Sequence, residues 1–362
     1  FFQGDVRQVR QGHPLVEEHI DASLRFRGRF ESLLDRERPD LVCMFNGLFI
    51  PEVVFGTVLR QRSIDSLFLE RGMRLNSIFL SLNEPACFYR SDTVWERSQR
   101  FLGRRHLEKS RSYVEGRAKS QRDPTGVDRF LSEDMTGECF SDYVLLFAPV
   151  VHDTAAMVPN DLGMSFYDFV RSLVEVARKF KQKVLLRIHP DENNRNNRSR
   201  YGVSRFIQEH SFSDCVEVVA AERRVNPYAL ARLVERRIVY NGTLGMELPA
   251  LGMSVYNVCN SHYSGKGFTE NLSSVNDLDR IFAGPARTLD PLAQERALRY
   301  LYHYVHIGNI DIRHIIQEIE PFRFSAKRAA SRGAHWQVSR LRRRIAMLLR
   351  NGAEEKIERG SS

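Results

Sequence analysis

Polar residues suited to holding a phosphate stand at two places where an apolar run of the chain ends. His189-Pro190 follows the run at residues 183–188, and Asn241-Gly242-Thr243 follows the run at residues 237–240. A glycine and a hydroxyl residue at the start of a helix leave backbone N–H groups facing outward, at the positive end of the helix dipole. The histidine and the turn together therefore indicate a phosphate site.

Two carboxylates and an arginine stand close to such positions. Glu70 closes an apolar run, where it is either a general base that takes a proton from a hydroxyl or a salt-bridged turn residue. Glu247 lies one turn into the helix predicted after Thr243, where it either accepts hydrogen bonds from ribose hydroxyls or has a structural role. Arg187 alternates with the core residues of its strand, so it either faces the site or is solvated or ion-paired.

One acidic pair imitates a metal-binding motif. Asp277 and Asp279 follow Ser-Ser-Val-Asn and precede Arg-Ile-Phe, which is the pattern of an acidic first turn of a helix. The five cysteines are scattered and never in CxxC spacing, which argues against a zinc site or a disulfide framework and fits a reducing compartment. The sequence therefore predicts no metal site.

Short apolar runs alternate with helical patterns along most of the chain. This alternation predicts an α/β fold with parallel strands and helices on both faces of the sheet, and ligands bind beyond the carboxyl ends of such strands. The regularity is better after residue 142 than before it. The predicted strands are residues 39–47, 66–72, 142–150, 183–190, 215–219, 237–241 and 254–258, and the predicted helices are residues 95–119, 167–180, 226–236 and 244–251.

The positive charge of the chain is concentrated at its end. The net charge is +9, and residues 322–362 carry 11 Lys and Arg against 3 Asp and Glu, so that +8 belongs to this tail and +1 to the rest. A nearly neutral body argues against a nucleic-acid partner. No run approaches the roughly 20 apolar residues of a membrane span. The chain begins abruptly at Phe1-Phe2, without a signal segment, which is compatible with a missing upstream piece.

The tail contains a basic amphipathic pattern at residues 335–349. Trp336 and a stripe of leucine and isoleucine at helical spacing are surrounded by arginines. Such a helix lies in a membrane interface, with its apolar side in the acyl boundary and its arginines on anionic headgroups. The alternative is a helix docked on its own protein. Of these two, we expect the helix to lie in the membrane interface. The stripe is Leu341, Ile345, Leu348 and Leu349, and the arginines are Arg340, Arg342, Arg343, Arg344 and Arg350.

Several stretches resemble the bacterial capsule polysaccharide biosynthesis proteins, a family that includes the Kdo transferases of the lipid-linked capsule linker. In the second half the resemblance is carried by "YVLLFAPVVHDTAA", "RIHP" and "NPYALARLVERRIVYNGTLGMELPALGMSVYNVCNSHYSGKGFT". In the first half it is carried more loosely by "RPDLVCMFNG" and "LFLERG". The resemblance implies a GT-B architecture, in which two Rossmann-like domains face each other across a cleft and the C-terminal one binds the nucleotide.

The resemblance also implies roles for individual residues. His189 and Pro190 match a His-Pro motif that packs around the nucleotide and its phosphate. Thr243, with Asn241 and Gly242, stands at the phosphate, and Glu247 stands near the ribose. Glu70 matches the first acid of an acidic turn followed by glycine, but Arg71 replaces the second acid, which leaves one carboxylate as base or ion-pair stabiliser. The remaining candidates are Asp153 as a second catalytic carboxylate, Arg187 beside the nucleotide, and Tyr263 and Lys266 in the loop toward the sugar.

The expected protein is thus a cytoplasmic GT-B glycosyltransferase of surface polysaccharide, peripheral on the inner membrane. The expected donor is CMP-Kdo, the expected acceptor is a glycan or a lipid-linked glycan, and neither a cofactor nor a metal is expected. A UDP- or GDP-sugar transferase and a non-catalytic capsule assembly or export factor remain as alternatives, and a nucleotide-sugar epimerase is a lesser option. The expected divisions are an acceptor domain at residues 1–141, a nucleotide-sugar domain at 142–290, returning helices at 291–321 and the basic tail at 322–362.

Overall fold

The computed structural model describes residues 14–312, apart from gaps at 75, 86–91, 120–139, 141, 152, 154–155, 157, 194–198, 200 and 224. The chain divides into two units, Phe1–Ile312 and Arg313–Ser362, and the second lies outside the described residues. The basic helix predicted at residues 335–349 therefore lies outside the described part, and so do residues 120–139 and 141, which precede the predicted domain boundary between residues 141 and 142. The predicted domain boundaries stay predictions.

The second half of the first unit is built on a sheet of six parallel strands. Its order is β6-β5-β4-β7-β8-β9, which is 3-2-1-4-5-6 when the strands are counted within this sheet. The doubly wound nucleotide-binding fold has this order. The strands are β4 (Tyr143–Phe147), β5 (Lys183–Arg187), β6 (Val216–Val219), β7 (Arg236–Val239), β8 (Tyr256–Asn257) and β9 (Glu270–Asn271).

Helices cover both faces of this sheet because alternate strand residues are apolar on both sides. Val144, Leu146 and Ile238 belong to a core shared with α5, α6 and α9. Leu145 and Val239 belong to a second core, shared with α7 and α8. The helices are α5 (Phe166–Phe180), α6 (Val203–Glu209), α7 (Pro227–Leu233), α8 (Leu244–Ala250) and α9 (Asn276–Ala283).

Local signals explain where these helices begin. The Ser165 hydroxyl accepts a hydrogen bond from the Asp168 N–H and caps α5. The side chain of Asn226 accepts from two N–H groups and caps α7, whose first residue is proline. Asp277 accepts from the N–H groups of Ser273 and Ser274 in front of α9, so the interpretation of the acidic pair as a helix start is confirmed.

The first half contains a smaller, mixed sheet. Its order is β1-β2-β3-β10, with β1 and β2 parallel and the other two pairs antiparallel. Apolar residues of α1 and α2, such as Phe30 and Leu59, pack against Phe68 of this sheet. The elements are α1 (Pro14–Glu37), β1 (Leu41–Phe45), α2 (Glu52–Gln61), β2 (Asp65–Arg71), β3 (Ser77–Leu82) and β10 (Asn309–Asp311).

Three further helices connect the two sheets. They are α3 (Asp92–Ser98), α4 (Arg104–Lys119) and α10 (Pro291–Tyr302). Trp95 and Val114 from the first two pack with Met246 of α8 and Leu301 of α10 in one core. After α10, a π-helical turn (His303–Ile307) leads into β10, so the chain returns to the first sheet.

The predicted α/β class with two sheets that carry helices is confirmed. The smaller sheet differs from a regular parallel one because β3 runs antiparallel to both its neighbours, β2 and β10. Among the described helices, none is long and apolar enough to cross a membrane.

Candidate functional site: a crevice at the strand ends

The strand order reverses between β4 and β7, which pair with each other at the centre of the six-stranded sheet. In a doubly wound sheet the chain leaves these two strands toward opposite faces, so a crevice opens beyond their carboxyl ends and ligands bind there. Asp153 lies in the segment after β4, and the turn Asn241–Thr243 follows β7. His189-Pro190 follows β5, the other neighbour of β4. The topology therefore places these predicted residues along one edge of the sheet.

The turn after β7 has a defined conformation. Asn241 Oδ1 accepts hydrogen bonds from the Gly242 N–H at 2.9 Å and from the Ser261 hydroxyl at 2.7 Å. Gly242 has φ of +138°, a conformation that side-chain-bearing residues rarely adopt. Thr243 is the N-cap of α8, and its side chain makes no capping hydrogen bond. The turn is thus held by the side chain of its first residue.

Tyr263 supports the Asn241–Thr243 turn through its hydroxyl group. It is fully buried, and its hydroxyl lies 3.0 Å from both the Gly242 carbonyl oxygen and Asn257 Oδ1, so its single proton is donated to one of the two. Burial raises the pKa of the phenol, which keeps it protonated and able to donate. A Cβ on Gly245 would lie 2.0 Å from this hydroxyl. The absence of a side chain at Gly245 is therefore what lets Tyr263 pass the first turn of α8.

His189 lies at the end of β5 with part of its side chain exposed. Its Nδ1 accepts a hydrogen bond from the Asp191 N–H at 3.2 Å and is 3.9 Å from Asp191 Oδ2. Because Nδ1 is an acceptor, the neutral ring carries its proton on Nε2, by assignment from the hydrogen bonds. Pro190 begins a short 3-10 helix, Pro190–Asn193. The histidine is thus fixed through one ring nitrogen and has a donor on the other.

Glu192 joins the loops after β4 and β5, and sequence reasoning missed it. Its carboxylate is 7% exposed and accepts from the Val151 N–H at 3.3 Å, the Ser199 hydroxyl at 2.7 Å and the Ser199 N–H at 2.8 Å. A buried carboxylate is stabilised by several such donors. Glu192 therefore holds the chain just before the exposed Asp153 in a fixed position relative to the loop that contains His189.

Arg187 points into the protein and binds backbone carbonyls. It is 3% exposed and donates to the carbonyl oxygens of Val219 at 3.3 Å, Ala220 at 2.7 Å and Arg223 at 3.0 Å. The guanidinium thus holds the loop after β6 in place. This arrangement favours neither of the two roles that the sequence left open for Arg187, since the side chain is buried and these three carbonyl acceptors are neutral.

Glu247 is fully buried and contacts two protein side chains. Arg117 Nε lies 3.0 Å from Glu247 Oε1, and the Tyr228 hydroxyl donates to Glu247 Oε2 at 2.7 Å. Arg117 Nε also donates to the Tyr228 oxygen at 3.3 Å. The charge of Glu247 raises the pKa of Arg117 above its usual range. Of the two roles considered for Glu247, these contacts favour the structural one.

Lys266 also contacts a protein group. Its side chain is 7% exposed and forms an ion pair with Asp92 at the start of α3. Burial of the His303 ring and, secondly, the positive charge of Lys266 lower the pKa of His303 to about 4. The loop that contains Tyr263 and Lys266 is therefore attached to both the turn and α3.

Glu70 stands at the corresponding edge of the smaller sheet, and its partner Asn46 is a residue that sequence reasoning missed. Asn46 follows β1, has φ of +56°, and donates from Nδ2 to Glu70 Oε2 at 2.5 Å. Its N–H donates to the Leu69 carbonyl at 2.8 Å, and its Oδ1 accepts from the Leu48 N–H at 3.2 Å. The other carboxylate oxygen, Oε1, accepts from the Arg71 N–H at 2.8 Å. Both oxygens of Glu70 are thus oriented by fixed donors.

The described residues contain no group of three or more His, Cys, Asp or Glu side chains arranged to hold a metal ion.

Comparison with known proteins gives structural similarity only. No family model matches the chain, and no curated protein matches it. Among solved structures, it is similar to the beta Kdo 2,4 transferase of Thermosulfurimonas dismutans KpsC, with 16% identity, a TM-score of 0.49, and coverage of 73% of this chain and 80% of that one. It is also similar to the beta Kdo 2,7 transferase of the same KpsC, with 14% identity, a TM-score of 0.45, and coverage of 80% and 87%.

A third similar structure is UDP-GlcNAc 2-epimerase of Methanocaldococcus jannaschii in complex with UDP-GlcNAc and UDP. Here the identity is 11%, the TM-score 0.35, and the coverage 78% of this chain and 80% of that one. The two KpsC transferases are of the kind that the sequence resembles.

Proposed function

We propose that this chain is a glycosyltransferase that binds a nucleotide-sugar in the crevice between the loops after β4 and β7. The observation that supports this most strongly is the 3-2-1-4-5-6 strand order, with polar predicted residues at the carboxyl ends of three neighbouring strands. In such a sheet, the crevice at the strand-order reversal is where nucleotides bind. The turn Asn241–Thr243 would face the phosphates, and the sugar would extend toward the first sheet.

In this proposal His189 donates a hydrogen bond to the leaving phosphate. Its Nδ1 accepts a hydrogen bond from the Asp191 N–H, so in the neutral ring the donor nitrogen is Nε2. A hydrogen bond to a charged group is worth about 1.5–3 kcal/mol, so its loss in His189→Ala is expected to raise the nucleotide Kd roughly 10- to 150-fold. His210→Ala is a matched control, since that histidine lies beside Arg171 on the α5–α6 side of the sheet. Equal affinity of a folded His189→Ala variant and wild type would contradict the role.

The donor that we propose is CMP-Kdo, on the basis of the sequence resemblance. A UDP- or GDP-sugar is the alternative within the same reaction class. Isothermal titration with CMP, UDP and GDP separates them, and a thermal-shift series provides a quick first comparison. We expect CMP to bind more tightly than the other two. Preferential binding of UDP or GDP would support a transferase that uses a different donor sugar nucleotide. If none of the three nucleotides binds, the proposed function is wrong.

In the proposed reaction Glu70 acts as the general base. It takes the proton of an acceptor hydroxyl while that oxygen forms a bond to the anomeric carbon of the donor sugar. The bond from this carbon to the phosphate oxygen breaks, and the nucleotide leaves with the electron pair. N–H donors and His189 would stabilise the charge that develops on the phosphate.

We also propose that the basic tail attaches the protein to an anionic membrane, where a lipid-linked acceptor would be presented. Each arginine near such a surface contributes about 1 kcal/mol, an attraction that salt weakens. Removing residues 334–362 is expected to abolish co-sedimentation with anionic vesicles and to leave activity on a soluble acceptor intact. Equal sedimentation of both proteins, or of neither, would exclude this role for the tail.

A further inference from the structure

We propose that Arg117 is a positioning residue for the nucleotide site and that it acts through Glu247 of α8. The proposal rests on the proposed function, because it concerns the affinity of the crevice for a nucleotide. The sequence predicted that Glu247 contacts the ribose of the nucleotide. In this proposal its carboxylate contacts protein side chains instead.

The pair connects elements that are far apart in the sequence. Arg117 lies near the end of α4, Tyr228 lies in α7 and Glu247 lies in α8. Glu247 and Tyr228 are 0% and 2% exposed, and the Arg117 side chain is 19% exposed. The Arg117–Glu247 separation of 3.0 Å is a charge contact, whereas the aligned hydrogen bonds run from Arg117 to Tyr228 and from Tyr228 to Glu247.

A second link fastens the same end of α4. The Nδ2 of Asn226 donates to the Ala118 carbonyl at 2.8 Å, while its Oδ1 caps α7. α4 therefore contacts α7 and α8 through polar groups at two successive residues, Arg117 and Ala118. The apolar contacts beside them, which include Val114 and Met246, are non-directional, whereas hydrogen bonds and a charge pair fix position and orientation.

A buried ion pair is a poor source of stability, because the cost of removing two charges from water offsets most of their attraction. In some proteins, a buried polar or ionic pair instead selects one packing arrangement of the neighbouring elements over others. Here the arrangement that it specifies is that of α8, and the first residue of α8 follows directly on the Asn241–Thr243 turn. A displaced α8 would carry the turn with it, so the pair holds the turn in register with the loop after β4.

The test is a double-mutant cycle with Arg117→Met, Glu247→Gln and the double variant. Each single substitution leaves the remaining charged side chain, Glu247 or Arg117, without its partner of opposite charge. The double variant has two uncharged side chains, which need no charge partner. We expect each single variant to raise the Kd for CMP roughly 2- to 30-fold, and the double variant to return close to wild type. The Kd is measured by titration well below the melting temperature of each variant, so that loss of folded protein does not enter.

Two further variants complete the experiment. Arg117→Lys keeps the charge and is expected to have an intermediate Kd, which provides a measurement if Arg117→Met fails to fold. Arg104→Met is the matched control, because Arg104 forms an exposed pair with Glu108 on the same helix. We expect this control to bind CMP as wild type does.

The outcomes separate the two hypotheses. If wild type binds none of CMP, UDP and GDP, the proposed function fails, and this inference fails with it. If wild type binds and Arg117→Met binds equally well, only the inference fails. If the double variant is as weak as Glu247→Gln alone, Glu247 is itself a ligand contact and the anchoring role is wrong.

Discussion

Replacing Gly245 by alanine tests whether Tyr263 supports the nucleotide turn through the first turn of α8. The new Cβ would lie 2.0 Å from the Tyr263 hydroxyl, 2.3 Å from Cζ and 2.6 Å from Cε2. The ring is fully buried and packs against Phe268 and other core residues, so it has little room to withdraw. The substitution is therefore expected to break the contact between Tyr263 and the Gly242 carbonyl.

The magnitude follows from two opposing terms. Overpacking costs about 1–3 kcal/mol, and a contact this close to a fully buried ring belongs at the upper end. Alanine in a helix regains at most about 1 kcal/mol over glycine, which leaves a net loss of about 2 kcal/mol. For the unit Phe1–Ile312, the entropy of unfolding at about 2.1 cal/mol/K per residue amounts to about 0.65 kcal/mol/K. The melting temperature should then fall by about 3 °C.

Gly116→Ala is the matched control, because Gly116 lies within α4 and a Cβ there meets nothing within 4 Å. It should raise the melting temperature by about 1–2 °C through helix propensity alone. Differential scanning calorimetry of the two variants, with CMP titration of each, measures both effects. We expect Gly245→Ala to melt lower and bind CMP more weakly. If it melts as high as Gly116→Ala, the Tyr263 hydroxyl does not occupy that space and the supporting role fails.

Two further predictions concern catalysis and pH. Asn46→Ala is expected to lower kcat roughly 10-fold or more with the donor KM unchanged, because it frees a carboxylate that Asn46 orients, and a kcat equal to wild type would exclude this role. Burial lowers the folded-state pKa of His262 to about 3 and that of His303 to about 4, so the unfolded chain, with pKa values near 6.5, binds these protons first as the pH falls. Stability is therefore expected to fall as the pH drops below about 6.5, down to about pH 4 for His303 and about pH 3 for His262, by at most about 1.4 kcal/mol per pH unit for each histidine. The profile should be flatter in His303→Gln. Urea unfolding from pH 7.5 to pH 5 measures this, and a flat profile in wild type would contradict it.

The large sheet could be predicted because its strands are buried on both faces. β4, β5 and β7 are short apolar runs separated by helical patterns, and each lies within its predicted range to within one residue. The helix predicted at residues 167–180 is α5, Phe166–Phe180, since its apolar spacing of three and four is unambiguous. Nearby contacts, such as the Asn226 cap, follow from local spacing in the same way.

The small sheet was harder to predict because its pairing is antiparallel and distant. β3 has polar serines among its apolar residues, and its outer neighbour β10 lies more than 200 residues further along the chain. A strand of three residues such as β10 gives no pattern of its own. The mixed character of this sheet is therefore visible only in three dimensions.

The hydrogen-bond and charge partners of the candidate residues could not be predicted from the sequence for the same reason. The sequence identified Glu70 but not its hydrogen-bond donor Asn46, which lies 24 positions away. It identified Glu247 but not Arg117, and Lys266 but not Asp92, because no spacing rule connects residues on separate elements. The positions of candidate residues at strand ends follow from local patterns, whereas their hydrogen-bond and charge partners depend on tertiary packing.

The most direct test of the central claim is the release of CMP from CMP-Kdo, followed by a coupled assay for the nucleotide, with wild type and Glu70→Gln compared side by side. We expect wild type to release CMP in a reaction that a glycan acceptor accelerates. Glu70→Gln should bind CMP as wild type does and release it about 10²- to 10⁴-fold more slowly, since the base that deprotonates the acceptor is missing. Equal rates in the two proteins would place the base elsewhere, with Asp153 the next candidate. No release by wild type from CMP-Kdo, or from UDP- and GDP-sugars, would contradict the assignment of a glycosyltransferase.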